Sequence, residues 1–86
     1  MATTQLSRAE ISTIVAKFKR DPTRYLSQIP DPTIRQLLEL HYIRNLEWWR
    51  VANHINYSDQ NVYKLRRKAL AALAELIEKE ESTHGS

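Results

Sequence analysis

The sequence predicts an all-α fold, a small bundle of about five helices that ends in a long C-terminal helix. Three observations carry this. A single glycine among 86 residues, Gly85, leaves almost nothing to build the tight hairpin turns of an all-β domain or a phosphate-cradling loop. Apolar residues recur at helical spacing along most of the chain. Helix-start signals are frequent, with Ser or Asp placed just ahead of the periodic stretches. With 42% hydrophobic residues, a chain this short has core enough for one domain. Residues 1–81 are assigned to it and Ser82–Ser86 to a flexible tail.

Each element has its own warrant. Ser7 and Glu10 form a capping box, with Leu6 and Ile11 as the staple that fixes the entry of the chain. Ile11, Ile14, Val15 and Phe18 then give one apolar face to a first helix over Arg8–Arg20, whose last turn carries Lys17, Lys19 and Arg20 against the helix dipole. Two Asp-Pro-Thr triplets, at Asp21 and Asp31, each offer an Asp cap followed by a proline in the first helical turn. They open a short helix through Ser27 and a longer one through Arg44. Ile34, Leu37, Leu38, His41 and Tyr42 keep to one side of the longer helix, with Leu40 and Ile43 flanking. Asn45 stands where a left-handed residue ends a helix.

The rest reads as two helices joined by a tight turn. One runs from Glu47 to Ile55, Asn56 supplies the turn, and Ser58 caps a helix continuing to about Glu80. Such a helix-turn-helix, here about residues 47–70, needs a small residue at the helix contact, a left-handed residue in the turn and apolar residues holding the second helix across the first. Ala52 fits the contact, Asn56 the turn, and Val51, Ile55, Tyr57, Val62 and Leu65 the scaffold.

Charge gives the second helix of the pair a task. The net +3 hides an asymmetry, since residues 1–73 carry +6 and residues 74–86 carry −3. Between Gln60 and Leu70 lie Lys64, Arg66, Arg67 and Lys68 and no acid. With Val62, Leu65 and Ala69 turned inward, Asp59, Gln60, Tyr63, Lys64 and Arg67 face outward and Asn61 lies partly sideways. This is the side that a recognition helix lays in the major groove, where Gln and Asn suit adenine and Lys and Arg suit guanine. Ser58, Arg50, Arg66 and Lys68 are placed to hold the phosphate backbone. Double-stranded DNA is therefore the expected partner.

The segments beginning Ile29-Pro30-Asp31-Pro32, Leu46-Glu47-Trp48-Trp49 and Val62-Tyr63-Lys64-Leu65 resemble the sigma-70 region-four helix-turn-helix, and more closely the phage late-transcription activators of the ArpU and RinA type. The matching positions are Arg35, Leu38, Tyr42, Ile43, Trp48, Val51, Ala52, Tyr57, Ser58, Ala69 and Leu70, within residues 29–73. The resemblance implies a phage-derived transcriptional regulator that binds promoter DNA beside RNA polymerase. Asn45 and Asn56 replace the glycines usual there, and Trp49 and Arg50 replace acidic residues.

Other classes find less support. His41, His54 and His84 are too scattered for a zinc site, there is no cysteine, and no Ser-His-Asp or Cys-His arrangement has a scaffold. The expectation is a protein without enzymatic activity, cofactor, metal or small-molecule substrate. No apolar run approaches a membrane span or signal sequence, and the acidic end argues against a membrane surface, so the cytoplasm of a bacterial host is expected. Trp48 belongs with the core, which leaves Trp49 outside it as a protein contact. The stripe Leu73, Leu76 and Ile77, with Leu70, has two uses: packing on the first helix, or pairing with a second copy in a homodimer. A small phage module that engages a host or phage protein instead of DNA stays open as the alternative.

Overall fold

The computed structural model describes residues 6–84, which form five helices and, among the described residues, no strand. They are α1 (Arg8–Arg20), α2 (Pro22–Leu26), α3 (Pro32–Leu38, prolonged by a π turn over Glu39–Ile43), α4 (Trp48–Ile55) and α5 (Asp59–His84). At about 1.5 Å per residue, α5 spans about 39 Å, nearly the full 43 Å of the molecule's long axis. It is the common wall against which α1, α3 and α4 all pack.

Local chemistry sets most of the starts. The Ser7 hydroxyl accepts the Glu10 amide at 3.2 Å and the Glu10 carboxylate accepts the Ser7 amide at 2.8 Å, closing the capping box reciprocally. These bonds hold the Glu10 carboxyl below its ordinary range. Asp31 accepts the Thr33 amide at 2.9 Å, as its triplet predicts. The first triplet behaves differently: Asp21 makes no side-chain capping bond, because it doubles as the residue that ends α1, at φ −147° and ψ 72°. Arg35 reaches back from α3 to the carbonyls of Ile29 and Pro30, at 2.5 and 3.2 Å, and so fixes the loop between α2 and α3.

The expected helix through Arg44 changes pitch at Glu39. There the Arg44 amide bonds to the Glu39 carbonyl, five residues back. The wider turn carries three consecutive residues, Leu40, His41 and Tyr42, to the inner side, so Leu40 is buried rather than flanking while His41 and Tyr42 are half-buried. Asn45 follows in the left-handed region at φ 63°, and the Leu46 amide closes on the Leu40 carbonyl at 3.0 Å. Asn56 repeats the arrangement at φ 61°, with the Tyr57 amide on the Ala52 carbonyl at 2.8 Å. A β-carbon in this region is strained, and Asn tolerates it better than other non-glycine residues. Asn56→Ala is expected to lower stability by about 1 kcal/mol and Asn56→Gly to stay within a few tenths of the parent, read as urea midpoints.

The core is continuous from α1 to α5, with Phe18, Leu37, Leu38, Val51, Val62 and Leu73 fully enclosed. Leu73 and Ile77 belong to it and Leu76 packs against it, so this stripe serves α1 and the interior, not the protein contact considered for it. Tyr57, expected in the scaffold, is exposed because it follows the left-handed turn and leaves the helix axis. At the far end of α5, Glu80 accepts the Tyr25 hydroxyl at 2.9 Å and pairs with Arg24, while Lys17 meets Glu81 at 2.6 Å. The helix runs on through His84, where a flexible tail from Ser82 was expected; Gly85 and Ser86 lie outside the described residues. No helix among the described residues is long and apolar enough to cross a membrane.

Candidate nucleic-acid interface

The first three turns of α5 are set against α4 by burial on one side alone. Val62, Leu65 and Ala69 are buried, and Val51 and Ala52 meet them from α4. That packing fixes which side chains must face outward. Asp59, Gln60, Asn61, Tyr63, Lys64, Arg67 and Lys68 are all exposed, as their positions on the helix require. Ser58 caps the helix, its hydroxyl accepting the Asn61 amide at 3.2 Å. Arg50 is exposed near the start of α4, its guanidinium 5.1 Å from the centre of the Trp49 ring. From Gln60 to Leu73 the helix carries no acid, and its amino end adds the positive pole of the backbone dipole.

Arg66 does not join this outward set. It is half-buried, with its guanidinium 5.7 Å from the centre of the Trp48 ring and its Nε enclosed without a hydrogen-bond partner among the described residues. It lies beside Tyr42, whose phenol burial pushes up and Arg66 partly restores. The backbone-holding role expected of Arg66 therefore gives way to an internal one, joining α5 to α4 and the π turn. Trp48, expected to pack with the core, does pack against it and is half-buried.

Around Trp48 lies an aromatic cluster. His41 stacks on it with ring centres 3.7 Å apart and planes at 16°, Tyr42 meets it edge-on at 6.2 Å, and Tyr63 lies at 6.1 Å. The sequence signal for this cluster, His41, Tyr42 and Trp48 within eight residues, is plain only once the π turn has placed the first two on one side. His41 Nδ1 is 2.8 Å from the Leu46 carbonyl, an acceptor, so the neutral ring donates from Nδ1. Burial holds the His41 pKa below its ordinary 6.5, with Arg66 and Lys19 pushing the same way against the Leu46 carbonyl.

Below pH 6.5 the unfolded chain takes up a proton that folded His41 resists, so stability is present above that value and is lost as pH falls through the folded pKa. Urea midpoints measured downward from pH 7.5 are expected to begin dropping as the pH passes below 6.5. In His41→Phe that part of the drop should vanish.

Beside this cluster, between the starts of α4 and α5, is a groove of about 330 Å³ lined by Glu47, Trp48, Trp49, Asp59, Val62 and Tyr63. Trp49 is 51% exposed and Tyr63 49%, so both present aromatic surface to solvent. Among the described residues no group of three His, Asp or Glu side chains is placed to hold a metal.

Fold and site together define a small all-α domain with a basic face on the amino half of its longest helix, acid-free from Gln60 to Leu73. The chain belongs to the DUF1492 family, described as a protein of unknown function, whose pattern matches residues 3–74. The acidic stretch from Glu75 to Glu81 falls outside that match. No curated protein and no solved structure matches the chain.

Proposed function

We propose that the chain binds double-stranded DNA sequence-specifically, as a transcriptional regulator of phage origin acting in the bacterial cytoplasm. The observation that carries this reading is the single outward face formed by Gln60, Tyr63, Lys64 and Arg67 on a helix whose opposite face is locked to α4. In this reading α4, the Asn56 turn and α5 act as a helix-turn-helix, and the amino half of α5 enters the major groove. Gln60 and Asn61 present amides suited to adenine, Lys64 and Arg67 suit guanine, and Asp59 can accept from the cytosine amino group. Tyr63 packs on a thymine methyl, while Ser58, Arg50 and Lys68 meet phosphates on either side. The resemblance to region four of sigma-70 and to the phage late activators supports a promoter as the target.

The test is selection of bound sites from random duplex DNA, followed by titration of the selected site against salt. A recovered motif is expected, with log affinity falling against log salt at a slope of about −0.9 per phosphate neutralised. Absence of duplex binding at low salt, or binding with no motif, would overturn sequence-specific recognition.

A further inference from the structure

We propose that the groove between the starts of α4 and α5 receives the guanidinium of an arginine presented by a protein partner. Its walls are the rings of Trp48, Trp49 and Tyr63 with Val62 at one side, and its two charged lining residues are acids, Glu47 and Asp59. No lining residue is basic, in a region where residues 41–70 hold six basic side chains and these same two acids. The groove thus has the opposite sign to the surface around it. Phosphate is repelled by such a site, whereas a cation is drawn to both the carboxylates and the ring faces.

Three features narrow the occupant. A volume of about 330 Å³ is at the small end of ligand clefts, which fits one long side chain rather than a helix. The chain's own guanidinium groups already seek these indoles, Arg50 over Trp49 and Arg66 over Trp48, so the ring faces have shown their preference internally. Glu47 stands at the cap position of α4 yet makes no capping bond. One of its oxygens instead accepts the Trp49 indole N–H, which orients that ring and leaves the second oxygen for a ligand. A planar group with several donors, stacking on rings and bonding to carboxylates, is arginine in preference to lysine. An arginine seated here covers Asp59 and Tyr63, so the partner and DNA compete for α5; the groove itself stands whether or not DNA binds.

The experiment titrates the ¹⁵N-labelled full chain with N-acetyl-arginine methylamide, using the neutral isostere N-acetyl-citrulline methylamide as control. Saturable shifts are expected at the Trp49 indole and at the Asp59 and Tyr63 amides, at roughly millimolar affinity for one side chain. Citrulline should leave them in place. The double variant Glu47→Gln and Asp59→Asn keeps side-chain shape and an acceptor for the indole, and should weaken the arginine response by about tenfold or more. A thermal melt of this variant, expected to match the parent's, checks that it folds. Equal shifts with citrulline, shifts that map elsewhere, or no saturation with arginine would each overturn the proposal.

Discussion

Replacing Lys64 and Arg67 together by alanine is expected to lower affinity for the selected duplex by about 2–4 kcal/mol, roughly thirty- to a thousandfold. Both side chains are exposed on the amino half of α5, within the acid-free stretch from Gln60 to Leu73, and alanine is the best helix former, so the fold should be unchanged. Two readouts separate their roles. A residue that meets phosphate weakens all duplexes alike and reduces the salt slope by about one, whereas a residue that meets a base edge relaxes the motif at one position. Fluorescence anisotropy at three salt concentrations, with the selected site and a scrambled one, gives both. If affinity and slope both stay at parental values, neither side chain is at the interface and the DNA reading falls with them.

Phe18→Ala is expected to cost about 3–5 kcal/mol, the largest loss from any single truncation considered. Phe18 is fully enclosed and meets Tyr42 edge-on with ring centres 6.3 Å apart, so it joins α1 to the π turn. Small domains have about 5–15 kcal/mol in total, and a melt followed by circular dichroism should move down by more than about 10 °C. Phe18→Leu, which leaves a smaller void, should lose clearly less. A shift under about 1 kcal/mol would mean that α1 is not docked through this residue.

Much of the architecture is legible in the residues because it rests on neighbours in sequence. Ser7 with Glu10, Asp31 with Thr33, and Asn45 and Asn56 each satisfy a local backbone need, and each has the expected bond or dihedral. The outward face from Asp59 to Arg67 follows equally from the helical period. What the sequence leaves hidden depends on partners far along the chain. Arg66 belongs by charge with Arg67, yet Trp48, eighteen positions earlier, draws its guanidinium inward. The π turn at Glu39–Ile43 arises because Leu40, His41 and Tyr42 all find inner contacts, which a regular period cannot supply. Leu73 and Ile77 suited two destinations, and the position of α1 chose between them. Glu47 stands at the start of α4 and Asp59 opens α5, and their sharing of one groove is a product of how α4 crosses α5.

The pairing of Lys17 with Glu81 joins residues 64 positions apart, and this separation bears on the order of folding. The turns at Asn45 and Asn56 close over a few residues, whereas α1 meets the π turn over some two dozen positions and the far end of α5 only after most of the chain has been brought round, against a larger loop-closure entropy. Contacts made by α1 should therefore form after the rate-limiting step. In kinetic terms, Phe18→Ala should accelerate unfolding far more than it slows refolding, whereas truncations at the α4–α5 contact, such as Val62→Ala, should slow refolding. The first helix acts as a latch: its strength sets how long the folded molecule lasts, with little influence on how quickly it is reached.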